Sequence, residues 1–131
     1  MLTIKPYIIT DHCEEAMNYY KNILGGEIKN VHRAKEMPMF KGNEGKILQA
    51  QLHIGNQIIH FSDTFHGIVH GDAVKIILEF HEVAEIERVY GALKLEGKIH
   101  LELQETFWGA THANLTDKYG VGWVLNYEHS K

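Results

Sequence analysis

The 131 residues predict an α+β fold made of two consecutive βαβββ modules, spanning approximately 1–66 and 72–131, whose curved mixed sheet encloses a cleft. Three observations predict it. Hydrophobic periodicity switches between two and 3.6 residues in the order βαβββ, then βαβββ again. A faint internal echo accompanies that order at an offset of 70 to 71 residues. Glu15 and Tyr20 return as Glu85 and Tyr90, and "GEI" at Gly26–Ile28 returns as "GKI" at Gly97–Ile99. Finally, one helix on four strands leaves a sheet face bare, and two such halves can curl toward each other.

Leu2–Thr10 is apolar and β-rich and reads as a buried strand. Asp11 is placed to cap a helix, with Glu14 three residues later completing a capping box. "CEEAMNYYKNIL" then puts Ala16, Tyr19, Tyr20 and Ile23 on one helical face, and Gly25-Gly26 stops it. Glu27–Arg33 reads as a strand, followed by a loop marked by Pro38, Gly42 and Gly45. Ile47–Ile54 alternates Leu48, Ala50, Leu52 and Ile54 against Gln49, Gln51 and His53. Gly55-Asn56 is a two-residue hairpin turn into the return strand Gln57–Asp63. A loop containing His66 and His70 leads to a strand at Ala73–Phe80. A helix within His81–Glu96 is carried by Val83, Ile86, Val89, Tyr90 and Leu93 and ended by Gly97. Lys98–Gln104, Ala110–Asp117 and Val121–Tyr127 complete the strands. Trp123 falls on their core face, and Asp117 opens a turn at Tyr119-Gly120.

Composition narrows the function classes. The net charge of −4 with no clustered basic face gives no case for nucleic acid. The single cysteine, Cys13, excludes an internal disulfide and reads as a small buried filler rather than an activated thiol. No apolar run approaches the roughly 20 residues that span a bilayer, and the N-terminus lacks the pattern of a secretory signal. The expectation is a soluble, cytoplasmic protein with no membrane or nucleic-acid partner.

Several blocks carry a resemblance: "KPYI" at Lys5–Ile8, "CEEAMNYYKNILGGEI" at Cys13–Ile28, "IGNQIIHFSD" at Ile54–Asp63, "LQETFWGA" at Leu103–Ala110 and "TDKYGVGWVLNYE" at Thr116–Glu128. Together they resemble the vicinal oxygen chelate superfamily of glyoxalase I, extradiol dioxygenases and bleomycin-resistance proteins, and within it the PhnB-like branch. The resemblance implies a U-shaped cleft between the modules, commonly in a homodimer. One departure stands out. The branch's Arg-Tyr-Gly after Phe-Trp-Gly-Ala is replaced here by Thr111-His112-Ala113.

In catalytic members of the superfamily, strands of both modules supply His or Glu ligands to a divalent metal. Threading that pattern puts the four positions near Lys5, His60, Lys75 and Val124, where only His60 ligates well and two ammonium groups would repel a dication. Shifted registers offer Glu79, Asn126 or Glu128, and a His60/Glu79/Asn126 cluster is the alternative. The reading therefore expects no cofactor and no metal ligand, with a divalent metal only under that alternative. His60 and Glu79 are the candidate catalytic pair for acid–base work. Lys5 and Lys75, on matching strands, are candidates to hold an anion. Tyr7, Phe107, Trp108, His112, Asn114 and Asn126 complete the ligand-binding set, with Trp108 able to close over a cleft or fill a subunit interface. Three functions compete. One is a metal-independent binding protein for a small, partly aromatic, anionic molecule. Another is an enzyme, either a metal-dependent lyase or dioxygenase or a metal-free acid–base catalyst. The third is a structural dimer with a vestigial cleft.

Overall fold

In each half of the chain the apolar side of a strand set and the apolar side of one helix find each other. The computed structural model describes residues 1–36 and 42–129, so the loop assignment at Pro38 lies outside the described residues. The chain folds as two compact units, Met1–Val69 and His70–Lys131.

In the first unit the elements are β1 (Tyr7–Thr10), α1 (Cys13–Leu24), β2 (Glu27–Arg33), a single 3₁₀ turn (Ala34–Glu36), β3 (Ile47–Ile54) and β4 (Gln57–Asp63). They form a four-stranded sheet of order β1-β4-β3-β2, with β1 parallel to β4 and the other pairs antiparallel. Ala16, Met17, Tyr20 and Ile23 of α1 are buried, as are Ile8, Ala50, Leu52, Ile59 and Phe61 of the sheet. The Tyr20 and Phe61 rings stack at 5.8 Å. Each large side chain buried this way contributes about 1.5–3 kcal/mol. Gly26, at φ +95°, lies against the His53 carbonyl, where a β-carbon would collide.

The second unit repeats the plan with β5 (Ile76–Phe80), α2 (Val83–Leu93), β6 (Lys98–Glu105), β7 (Ala110–Thr116) and β8 (Gly122–Glu128). Its sheet order is β5-β8-β7-β6, again with the first pair parallel. Ile86, Val89 and Leu93 of α2 are buried, together with Ala113, Leu115, Trp123 and Leu125. One outer strand of each sheet, β2 and β6, carries register shifts. Irregular edges of this kind discourage pairing with another chain.

Four local expectations need correction. The first strand begins at Tyr7, not Leu2; Leu2 and Ile4 are exposed, and Pro6 offers only its carbonyl, which accepts the His60 N–H at 3.0 Å. The fifth strand likewise starts at Ile76, with Val74 exposed. Lys5 and Lys75 therefore precede their strands rather than sit in them. The α1 cap is also different. Position Ncap is His12, without a side-chain cap, and the Cys13 N–H is instead taken by Asp63 Oδ1 at 2.9 Å from the end of β4. Glu14 turns away from the backbone to Arg33 at 3.2 Å. Finally, α2 ends at Leu93, and Glu96, not Gly97, takes the positive φ of +60°. Gly97 is needed because a β-carbon there would press on the Thr116 carbonyl.

Two carboxylates fix the remaining geometry. Asp63 also accepts the Ile47 N–H through Oδ2 at 2.8 Å, tying the start of β3 to the start of α1. Buried Asp117 accepts the Tyr119 and Val121 N–H groups at 2.8 and 3.1 Å and the Trp123 indole at 2.8 Å. That is the turn the sequence placed at Tyr119-Gly120, with Trp123 in the core. Cys13 is buried, and burial first, then the nearby Asp63 and Glu14 charges, push its thiol up to about 12. A thiol of this kind is a filler rather than a nucleophile.

Candidate functional site

Because side chains alternate along a strand, each sheet presents its second face away from its helix, and cross-strand register decides which side chains meet there. In the first unit one rung across that face runs Tyr7, His60, Gln51 and Lys29. The Tyr7 and His60 rings lie parallel, 6.0 Å apart. Gln51 Oε1 meets His53 Nε2 at 2.7 Å and accepts from Asn30 Nδ2 at 2.9 Å. The His60 pKa is lowered from its ordinary value, by partial burial first and then by the Lys5 ammonium and His53. A neutral imidazole beside a phenol and an ammonium can accept a hydrogen bond from a ligand while the lysine faces a negative charge.

In the second unit the corresponding face carries two polar groups. One rung runs Glu79, Asn126, His112 and Gln104 across β5, β8, β7 and β6. Asn126 Nδ2 donates to Glu79 Oε2 at 3.1 Å, and Asn126 Oδ1 meets His112 Nδ1 at 3.2 Å. The neighbouring rung is Ile77, Val124, Asn114 and Leu101. Lys75, just ahead of β5, reaches into it and donates to Asn114 Oδ1 at 2.6 Å. Trp108 touches the His112 ring edge-on at 6.1 Å, and Phe107 packs on Trp108 at 5.0 Å. Trp108 is 55% exposed and Phe107 97%, so neither ring is spent on its own unit's core.

The structure thus brings the sequence-selected residues into two sets. Lys5, Tyr7 and His60 lie together in the first unit. Glu79, Asn126, His112, Trp108 and Phe107 lie together in the second, beside Lys75 and Asn114. Sequence reasoning overlooked Gln51 and His53, although the strand's alternation had put them on the polar face. It also missed an open groove of about 410 Å³ lined by Val83, Glu87, Leu103, Gln104, Glu105, Thr111, Tyr127 and His129. Those residues come from α2, β6, β7, β8 and the segment after β8, which are far apart in the chain. His66 and His70 are exposed in the loop after β4.

In register, His60 lies beside Tyr7 and Val124 beside Ile77, with Lys5 and Lys75 each two residues ahead along the chain. Among the described residues, no three His, Cys, Asp or Glu side chains come together in a way that could hold a metal ion.

A family profile described as 3-demethylubiquinone-9 3-methyltransferase matches residues 3–126, nearly the whole chain. The chain belongs to this family. It is the PhnB-like family, and solved structures agree. The chain is similar to protein PA1353 from Pseudomonas aeruginosa, with 31% identity, 99% of this chain and 100% of that one covered, and a TM-score of 0.89. It is similar to the PhnB protein from Bacillus cereus, with 26% identity, 96% and 99% coverage and a TM-score of 0.83. A glyoxalase/bleomycin resistance protein/dioxygenase from Alicyclobacillus acidocaldarius shares the fold, with 12% identity, 98% and 92% coverage and a TM-score of 0.64. The PhnB-like chain is thus a glyoxalase-fold protein. No helix among its described residues is long and apolar enough to cross a membrane.

Proposed function

We propose that this PhnB-like chain is a metal-independent small-molecule-binding protein of the glyoxalase/bleomycin-resistance type, acting on a small, partly aromatic, anionic ligand. The observation that carries the reading is the donor set on the parallel strand pairs. In the first unit Tyr7 and His60 offer one phenol and one imidazole, and in the second Ile77 and Val124 offer two hydrocarbons. Divalent ions take several carboxylate, imidazole or thiolate ligands, and neither pair fits one. Each unit's open face does offer what ligand pockets use: aromatic surface with a few polar anchors. In the first unit Tyr7 supplies the surface, His60 a hydrogen bond and Lys5 positive charge. In the second, Phe107 and Trp108 supply the surface, His112, Asn114 and Asn126 hydrogen bonds, and Lys75 positive charge. A homodimer in which a second copy covers Phe107 and Trp108 belongs to the same reading.

A second reading is a metal-free acid–base enzyme using His60 and Glu79. Its support is the lowered His60 pKa, which keeps a free base available near neutral pH. A thermal-shift screen separates the readings from metal-dependent chemistry, because a ligand that binds only the native state raises its stability by mass action. Aromatic carboxylates or phosphonates are expected to stabilise the protein equally with and without a chelator. Stabilisation only with a divalent ion present would overturn the proposal. So would methyl transfer to a demethylated quinone by the purified protein.

A further inference from the structure

We infer that His112 is a proton acceptor held in one tautomer by Asn126 and Glu79, and that its Nε2 receives the hydroxyl of an aromatic hydroxy acid. The chain of reasoning begins at Glu79. An ionised carboxylate only accepts hydrogen bonds, so the Asn126 amide must turn its NH₂ toward Glu79 Oε2, 3.1 Å away. Its oxygen then faces His112 Nδ1 at 3.2 Å. Two lone pairs cannot share that contact, so Nδ1 carries the hydrogen. A neutral imidazole protonated at Nδ1 has its lone pair at Nε2, on the far side of the ring. Asn126 is only 8% exposed, so its amide is held by these two side chains more than by solvent. The carboxylate also polarises the amide and, through it, the ring, which strengthens Nε2 as an acceptor. Asn126 and Glu79 are positioning residues in this scheme, and His112 is the group that meets the ligand.

The surroundings give the class of ligand. Half-exposed Trp108, edge-on to His112, provides a wall for a flat ring. Asn114 lies two residues from His112 on the same face of β7, a spacing of about 7 Å, and it holds the Lys75 ammonium at 2.6 Å. The ammonium has three N–H donors and Asn114 Oδ1 takes one, so others can serve an anionic oxygen. A molecule matching both ends carries an acidic hydroxyl at one end of an aromatic ring and a carboxylate at the other. This ligand class rests on the binding function proposed above; the tautomer does not.

Nitrogen-15 NMR of the intact protein tests both parts. In the wild type, His112 is expected to show a protonated Nδ1 and a bare Nε2 above its titration range. Glu79→Lys replaces an acceptor with a donor at an exposed position. The Asn126 amide should then flip, and His112 should switch to the tautomer protonated at Nε2. A wild-type ring already protonated at Nε2, an even mixture, or no change in Glu79→Lys would overturn the relay. With 4-hydroxybenzoate as probe, the Nε2 resonance should move, benzoate should leave it in place, and Lys75→Met should weaken binding about tenfold. An intact relay whose Nε2 ignores 4-hydroxybenzoate would overturn the ligand class. Stoichiometric metal with the tautomer unchanged would instead overturn the metal-independent reading and leave the relay standing.

Discussion

The two units share a topology and diverge in what they do with it. Both build a four-stranded sheet with a parallel first pair and one helix. In the first unit, the rung through that pair is Tyr7 stacked on His60. Seventy residues on, the same rung in the second unit is Ile77 beside Val124, and the polar pair has moved one rung along, to Glu79 and Asn126. The two structural carboxylates diverge too. Asp63 joins a helix start to a strand start, whereas Asp117 holds a hairpin turn and a tryptophan. Backbone pairing fixes the repeat, and side chains at equivalent positions are then free to change role. The two open faces therefore carry different polar groups on the same backbone plan.

The largest expected effect tests the carboxylates. Asp117→Ala leaves three donors without an acceptor, one of them a buried indole, and should cost about 3–4 kcal/mol in urea denaturation. Asp63→Ala loses two N–H partners nearer the surface and should cost about 2–3 kcal/mol. A reversed order would mean that the first unit, not the second, depends more on its carboxylate.

A smaller effect concerns pH. The His60 pKa is lowered in the fold from its ordinary 6.5, so the unfolded chain binds the extra proton between the two values. Its contribution to stability is thus fully present above about pH 6.5 and is lost as pH falls through the depressed folded value. His60→Gln should flatten the stability profile in that window, and an unchanged slope would remove His60 as its source. The second unit's His112 variant, His112→Gln, serves as the comparison. The smallest effect concerns the helix starts, Cys13 in α1 and Val83 in α2. With its thiol pushed up to about 12, native Cys13 should resist iodoacetamide at pH 8 and react once the chain is unfolded. Rapid alkylation of the native protein would contradict its burial.

Much of this was legible in the chain. The element order, the bounds of β2, β3 and β4 and the core placement of Trp123 follow from period-two alternation and from Gly55-Asn56 and Tyr119-Gly120 turns. What failed were readings that depend on a distant partner. Asp11 with Glu14 looks like a cap, yet Asp63, fifty residues from Cys13, supplies the acceptor. Leu2 and Ile4 are β-prone, but propensity gives no strand where no neighbour pairs with it. For the site, the residue types were readable and the register was not. Glu79 and Asn126 were grouped with His60, and only the pairing of β5, β8 and β7 puts His112 on their rung. A one-residue difference in register decides that.

Elemental analysis of protein purified without a metal-chelating tag, paired with melting curves before and after chelator treatment, addresses the central claim. Metal well below one equivalent per chain and an unchanged melting temperature are the predicted results. One tightly held equivalent whose removal lowers the melting temperature would contradict a ligand site that works without a cation.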